Sequence, residues 1–197
     1  RSIEKLDTPI GHLLLDPPYT AKSKHVGRIA DVRPGMFENG AVYTHGQSFF
    51  LAAMVKMGHG TRAYQAIKAT MPNATVPDIS TAPLHQQTNF AVGKKHEYFG
   101  QHLYTNFTGS LAWYRRAIEW MLGVIPDLDT LVIDPCVPRW ESFQVIRRWR
   151  KGEFHVTFRN PDRLEHGVKQ VTVDGKPILG NRIEPMKGRH DVNVLMG

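Results

Sequence analysis

The sequence has little cysteine, no long apolar run and no low-complexity tract. Among its 197 residues only Cys136 is a cysteine, which excludes a framework of disulfide bonds within the chain. No apolar run reaches the roughly 18 residues that suggest a membrane span. No charged start precedes an apolar stretch, so no secretory signal is visible. These absences lead us to expect a cytoplasmic protein without a membrane partner.

The charge is moderately positive but is not concentrated. Lysine and arginine number 25 against 18 aspartate and glutamate residues, which gives a net charge of +7 and favours anionic partners. The densest basic run, 147–151, lies in an alternating segment that is typical of a solvated strand face. Because no zinc-finger spacing, aromatic RNA-binding signature or basic stripe is present, we expect no nucleic-acid partner. A small anion such as phosphate fits the charge equally well.

The first two thirds of the chain show helical patterning between long loops. Apolar spacing predicts helices over about 47–57, 61–71 and 110–122, the second capped by the hydroxyl of its first residue, a threonine. Proline and glycine break the segment 17–40, and 72–107 contains no convincing helix or strand. In the first helix the apolar stripe consists of Phe49, Phe50, Ala53, Met54 and Met57.

After Pro126 the apolar period changes from about 3.6 to 2. Residues 154–158 and 192–196 alternate as half-buried strands, and Asp174-Gly175 is a strong hairpin signal. Helices followed by strands indicate an α+β chain of two structural units, with a seam near 127–142.

Two predicted helices begin where anions bind readily. The third helix follows Thr108 and Gly109, and the first helix follows His45, with Glu38 in the turn before it. Free N–H groups and the helix dipole favour negative charge at such ends, and glycine permits close approach. Each feature also has a plainer explanation, namely an ordinary helix cap for Thr108 and His45 and a surface turn for Glu38.

Taken together, the two helix starts support an anion site more strongly than either does alone. One helix lies between the first and third, so these two should run parallel with their N-termini on one face. His45, Thr108 and Gly109 can then converge on one phosphate-sized anion. The other candidates are weaker: Cys136 is expected to be an inert buried thiol, and the ten histidines contain no helical i, i+4 pair that would indicate a metal site. The four tryptophans are expected in the core, with stacking on sugar rings as the alternative.

Several motifs, in order, resemble the inverting β-glycoside phosphorylases of glycoside hydrolase family 94, which include cellobiose, cellodextrin and chitobiose phosphorylases. The motifs that carry the resemblance are Pro34-Gly35-Met36-Phe37-Glu38-Asn39-Gly40, Tyr43-Thr44-His45-Gly46, Phe107-Thr108-Gly109-Ser110, Ile133-Asp134-Pro135-Cys136 and Val173-Asp174-Gly175.

The resemblance implies a fold and a reaction. It implies the C-terminal part of an (α/α)6 barrel over 1–134, followed by a small antiparallel β-sandwich over 135–197. It also implies that inorganic phosphate, as co-substrate and without a further cofactor, attacks a β-linked disaccharide or oligosaccharide and releases an α-sugar 1-phosphate. By motif, His45, Thr108 and Gly109 would bind phosphate, while Glu38 and Asn89 would bind sugar.

The chain also departs from the family pattern. Thr81-Ala82-Pro83 stands where family members often carry Ser-Glu-Pro, and no segment matches the one that supplies the general-acid aspartate. About three helices are predicted where the barrel has twelve, and the chain begins at Arg1 without an initiating methionine. We therefore expect a C-terminal part that acts with the N-terminal part of the same enzyme; a homodimer is left open. The alternative is a non-catalytic carbohydrate-binding or structural fragment.

Overall fold

The computed structural model describes residues 3–20, 25–70, 90–94, 96–103 and 110–197. The chain divides into two compact units. Unit 1 comprises Arg1–Leu51 and Gln65–Tyr114, and unit 2 comprises Ala52–Tyr64 and Arg115–Gly197. The boundaries between the units fall within the three helices, so each unit is described by itself.

Three α-helices are present in the described residues: α1 (Thr44–Lys56), α2 (Gly60–Thr70) and α3 (Ser110–Leu122). All three predicted helices are confirmed, and α3 has the predicted bounds. α1 begins three residues earlier than predicted, so His45 lies inside its first turn rather than before it. The predicted apolar stripe of α1 is partly wrong, because Phe49, Ala53 and Met57 are exposed while Phe50 and Met54 are buried.

The start of α2 is held by a residue distant in sequence. The Thr61 hydroxyl does not cap its own helix as predicted but donates to Glu165 Oε1 at 2.8 Å, and the Thr61 N–H donates to Glu165 Oε2 at 3.2 Å. Burial raises the pKa of Glu165, but these hydrogen bonds and the Arg139 charge outweigh it and hold the pKa below its ordinary value. A carboxylate beside free N–H groups stabilises a helix start.

Unit 1 contains short strands joined by long turns. β1 (Asp7–Thr8) pairs with β2 (Gly11–His12), and the sheet of β3 (Val42–Tyr43), β4 (Phe90–Ala91) and β5 (His102–Leu103) is antiparallel. The chain also forms 3-10 turns at Ile3–Leu6 and Gly27–Asp31. A small apolar cluster underlies the strands and consists of Ile10, Leu13, Val42 and Ala91, with Leu6 against it.

Unit 2 contains two larger sheets. One has the order β12 (Arg182–Ile183), β7 (Thr130–Ile133), β6 (Val124–Asp127). The other has the order β11 (Lys176–Pro177), β10 (Gln170–Val173), β13 (Gly188–Leu195), β9 (Gly152–Arg159), β8 (Ser142–Trp149).

A single buried apolar cluster joins the two sheets of unit 2. Phe154, Val156 and Phe158 of β9 point inward at every second position, as the alternation predicts. Val124 and Ile133 belong to the same cluster, so residues 124–133 share a core with the later strands. β6 and β7 occupy part of the predicted seam, where no strand was predicted.

The antiparallel prediction for this region holds for most strand pairs but is wrong for one. β13 runs parallel to β9, with Val192 opposite Val156 and Val194 opposite Phe158. Alternation with period 2 does not reveal strand direction, and the chain between β9 and β13 is long enough for the crossover that parallel strands require. The hairpin signal is confirmed, since Asp174 and Gly175 connect β10 to β11 with positive φ angles of 49° and 78°.

Candidate functional site

The turn that carries Glu38 is built around a buried asparagine. The Asn39 amide donates to the backbone oxygens of Tyr19 at 3.0 Å and Val32 at 2.7 Å, and its oxygen accepts from the Tyr19 N–H at 2.8 Å. The Asn39 carbonyl also accepts from the Gly35 N–H at 2.8 Å. Asn39 is thus fully buried and fully bonded, and it holds the turn to the backbone of Tyr19, Val32 and Gly35.

Glu38 extends from this rigid turn toward solvent. Its side chain is exposed and forms no hydrogen bond or ion pair within the described part of the chain. A carboxylate that is held by a fixed backbone and has no partner among the described residues can accept hydrogen bonds from ligand hydroxyls.

Two glycines allow the next loop to approach this turn closely. Gly40 has a φ of +97°, which favours glycine. A Cβ at Gly93 would lie only 1.9 Å from the Gly40 carbonyl oxygen, so Gly93 has no room for a side chain. The Gly93 N–H donates to the Gly35 carbonyl at 2.8 Å. The loop after β4 therefore packs against the Glu38 turn and is hydrogen-bonded to it.

His45 lies in the first turn of α1 with its two ring nitrogens in different surroundings. Nδ1 is 3.3 Å from the Tyr43 hydroxyl. Nε2 is shielded from solvent and forms no hydrogen bond to the described residues. The Ser48 hydroxyl donates to the His45 carbonyl at 2.6 Å, a hydrogen bond that stabilises the first turn. A shielded nitrogen without a partner is uncommon in proteins, and His96 Nε2 is in the same state, so this feature of His45 needs an explanation.

The rings of unit 1 form a continuous series of contacts. Phe37 meets Phe90 edge-on, Phe90 stacks on Tyr43, and the series continues to α3. The consecutive ring-centroid distances are 5.5, 4.4, 5.6, 5.0 and 5.0 Å along Phe37, Phe90, Tyr43, His45, Phe49 and Trp113. We call these six residues the aromatic column. It links the neighbour of Glu38 to His45 and to the first turn of α3.

The predicted site residues fall into two groups. Glu38 and His45 are placed by the structure, in one unit and at points on or next to the aromatic column. Thr108, Gly109 and Asn89 lie outside the described residues, and the described part of α3 begins immediately after Gly109. Phe49 of α1 contacts Trp113 of α3 within this unit, and the predicted convergence of the two helix starts on one anion stays a prediction.

Sequence reasoning missed Tyr43 and Phe49 as parts of this site. Phe49 was assigned to the apolar stripe of α1, yet it is 49% exposed, and Trp113 beside it is 41% exposed. The i, i+4 spacing of His45 and Phe49 is the signal that could have placed them together, because such residues share one face of a helix.

Neither Cys136 nor a group of metal-ligating side chains forms a second site in the described part of the chain. Burial raises the pKa of the Cys136 thiol to about 11, and the charges of Glu165 and Asp134 add to the effect, so this thiol is a poor nucleophile. Across residues 3–20, 25–70, 90–94, 96–103 and 110–197, no three histidine, cysteine, aspartate or glutamate side chains are grouped as metal ligands. Within the same ranges, no helix has the length and apolar character needed to cross a bilayer.

Comparison with known proteins identifies relatives along the whole chain. A sequence model of the glycosyl hydrolase 94 superfamily, catalytic domain, matches residues 1–123. The chain is 35% identical to a solabiose phosphorylase of Paenibacillus borealis, over 98% of this chain and 26% of that protein. It is 30% identical to an N,N'-diacetylchitobiose phosphorylase of Vibrio furnissii, over 98% of this chain and 25% of that protein.

A third relative is the 3-O-beta-D-glucopyranosyl-beta-D-glucuronide phosphorylase of Paenibacillus borealis, 33% identical over 95% of this chain and 25% of that protein. The chain therefore spans about a quarter of the length of these curated relatives, and it matches their C-terminal part. The predicted resemblance is confirmed: the chain belongs to the glycosyl hydrolase 94 superfamily and contains part of its catalytic domain.

Proposed function

We propose that these residues are the C-terminal part of a phosphorylase, a hexosyl-transferring enzyme that cleaves a β-linked disaccharide or oligosaccharide with inorganic phosphate. In this proposal the chain supplies the phosphate site and part of the sugar site, and the rest of the same polypeptide supplies the remainder. The relatives support it, since the three described above are named as phosphorylases of sugars.

The observation that carries the proposal is the state of His45. Its Nε2 is withdrawn from water and has no hydrogen-bond partner in the described residues, although it sits in the first turn of a thirteen-residue helix. A phosphate oxygen would give this nitrogen an acceptor at a helix end that already favours negative charge. In the proposal Thr108 and Gly109, just before α3, complete the phosphate site.

The proposed reaction is a single displacement with inversion. A phosphate oxygen attacks the anomeric carbon while the bond from that carbon to the bridging oxygen breaks. The bridging oxygen takes a proton from a carboxylic acid, an aspartate that we place outside these residues, and leaves as the free acceptor sugar. The other product is an α-sugar 1-phosphate. Phosphate takes the place of the water and the general base that an inverting hydrolase uses.

The sugar residues in this proposal are Glu38 and Asn89. Glu38 is exposed on a turn that Asn39 holds rigid, so its carboxylate can accept from sugar hydroxyls. Exposed Phe49 and Trp113 offer apolar ring surface beside His45. Stacking of a sugar ring on an aromatic face buries the C–H groups of the sugar and leaves its hydroxyls free to bond.

The proposal also extends the fold. We infer that α1, α2 and α3 belong to an (α/α)6 barrel over 1–134 and that 135–197 form a β-sandwich domain. We further propose a cytoplasmic enzyme that uses phosphate as co-substrate and needs no cofactor or metal.

The test uses the full-length polypeptide that contains these residues. It is incubated with β-linked disaccharides, among them cellobiose, N,N'-diacetylchitobiose and 3-O-β-D-glucopyranosyl-β-D-glucuronide, with and without inorganic phosphate. We expect cleavage of at least one only when phosphate is present, and nuclear magnetic resonance should identify the first product as an α-sugar 1-phosphate. Cleavage independent of phosphate would contradict the proposal. Sugar binding without cleavage would favour the non-catalytic alternative.

A further inference from the structure

Tyr43 occupies the centre of the aromatic column. Its ring lies nearly parallel to Phe90, with 4.4 Å between ring centroids and 13° between ring planes. The two residues are also direct partners in the pairing of β3 with β4. Phe90 in turn contacts Phe37, the residue before Glu38. Ring stacking and backbone pairing thus fix the position of the Tyr43 ring independently of its hydroxyl.

The Tyr43 hydroxyl has one hydrogen-bond partner among the described residues, and that partner is His45 Nδ1 at 3.3 Å. A neutral imidazole carries its proton on one nitrogen, and the hydrogen bond at the other nitrogen decides which. If a phenol donates to Nδ1, the imidazole proton stays on Nε2, and Nε2 becomes a donor. A donor at Nε2 is what an anion requires.

The other contact of the imidazole fixes its plane. The His45 ring lies against Phe49 with 5.0 Å between ring centroids and 25° between planes, and Tyr43 meets it at 70°. Phe49 therefore limits the tilt of the imidazole, while the Tyr43 hydroxyl, where it donates to Nδ1, sets the rotation of the ring and its tautomer. Partners of this kind are how proteins hold a histidine ready to bind a ligand.

We propose that Tyr43 is a positioning residue for phosphate binding, acting through His45 by keeping Nε2 protonated and aimed at the anion. This inference rests on the proposed function. It assigns a role to Tyr43 that goes beyond the phosphate residues His45, Thr108 and Gly109.

The test is a double-mutant cycle in the full-length enzyme, with Tyr43→Phe, His45→Gln and the double variant. Tyr43→Phe keeps the stack on Phe90 and removes only the hydroxyl. We expect it to raise the KM for inorganic phosphate about three- to tenfold, the factor that one hydrogen bond is worth, with the KM for disaccharide changed less than about twofold. In the His45→Gln background, Tyr43→Phe should raise the phosphate KM no further.

Tyr114→Phe is the matched control. Tyr114 is buried, and its hydroxyl is 2.6 Å from the Thr70 hydroxyl, so this variant also removes a tyrosine hydrogen bond. It should lower the thermal unfolding midpoint and leave the phosphate KM unchanged. If Tyr43→Phe leaves the phosphate KM unchanged, or if its effect adds fully to that of His45→Gln, the role of Tyr43 is refuted while phosphorolysis stands. An unmutated enzyme without phosphate-dependent cleavage would overturn both proposals.

Discussion

The two units of the chain are stabilised in different ways. Unit 2 has three strands of eight residues, β8, β9 and β13, over a core of large apolar side chains. Unit 1 has strands of two residues and a small apolar cluster. Of the six buried polar residues in the described part of the chain, four lie in unit 1 between positions 39 and 48.

This difference follows from how each unit satisfies its backbone. Long strands pair their own N–H and C=O groups, so unit 2 needs few polar side chains inside. The turns of unit 1 have no such ladder, and buried amides replace it. The Gln47 amide, for example, donates to the His12 carbonyl at 2.6 Å and its oxygen accepts from the His12 N–H at 2.9 Å. The proposed site thus lies on turns that are made rigid by side chains.

The largest expected effect is in the core of unit 2. Phe158 is fully buried and stacks on Phe143 at 4.2 Å and 5°. Phe158→Ala should lower the free energy of unfolding by about 3–5 kcal/mol, because it removes a buried ring and leaves a cavity. Urea unfolding measures this. Ile146→Ala, on the exposed face of the neighbouring strand β8, is the control and should change it by less than about 0.5 kcal/mol. An equal decrease in the free energy of unfolding for the two variants would contradict this description of the core.

Two asparagines that are equally buried, one in each unit, test the difference between unit 1 and unit 2 most directly. Asn160 in unit 2 is as buried as Asn39, and it donates to the Trp140 and Leu164 carbonyls at 2.8 and 2.7 Å and accepts from the Leu164 N–H at 2.9 Å. Asn39→Ala and Asn160→Ala should each lower the free energy of unfolding by about 2–4 kcal/mol, since each removes a buried amide and leaves three backbone groups without their side-chain partner.

The two asparagine variants should differ in activity. Asn39→Ala releases the turn that carries Glu38, so we expect the KM for disaccharide to rise at least about tenfold in the folded enzyme. Asn160→Ala should leave that KM unchanged within about twofold. The KM for disaccharide is measured by steady-state kinetics, at a temperature where both variants remain folded. The same kinetic change in both variants would show that the units do not divide stability and binding as we describe.

The smallest expected effect is a pH dependence in unit 2. His190 Nδ1 lies 2.7 Å from Asp174 Oδ2. The hydrogen bond to Asp174 raises the pKa of His190 above its ordinary 6.5, and the same bond, with that from the Asp191 N–H, lowers the pKa of Asp174 below 3.8. The His190 contribution is complete below the unfolded pKa and is lost as the pH rises through the folded value. The Asp174 contribution is present above its unfolded pKa and is lost as the pH falls.

The pair should therefore stabilise unit 2 most between about pH 4 and 6.5. Asp174→Asn removes the charge and keeps a residue that tolerates the positive φ of the turn. Thermal unfolding midpoints of the unmutated and variant proteins should differ most in this window, and the difference should shrink as the pH rises above it and the His190 contribution is lost. A difference that stays constant from pH 5 to pH 9 would contradict the ion pair.

Local patterns in the sequence predicted what depends on neighbours in the chain. The bounds of α3, the alternation of β9 and the Asp174-Gly175 turn all follow from spacing or turn chemistry within a few residues. The motif around Glu38 and His45 was found in the same way, because its residues are contiguous.

Features that depend on distant partners were not predicted. The residue that holds the start of α2, Glu165, is 104 positions from Thr61. The hairpin of β6 and β7 turns at Leu128, which has a φ of 53° and is not a turn-forming residue type. The sequence shows that Asn39 is polar but not that its amide is buried among carbonyls. Each of these depends on contacts that periodicity does not encode.

The central claim is that His45 binds inorganic phosphate, and the phosphate KM of His45→Ala in the full-length enzyme tests it most directly. His59→Ala is the control, since His59 is exposed between α1 and α2. We expect His45→Ala to raise the phosphate KM about ten- to hundredfold, the worth of a hydrogen bond to a charged group, with the disaccharide KM within about twofold and His59→Ala unchanged. A phosphate KM unaffected by His45→Ala in an enzyme that still performs phosphorolysis would contradict the claim.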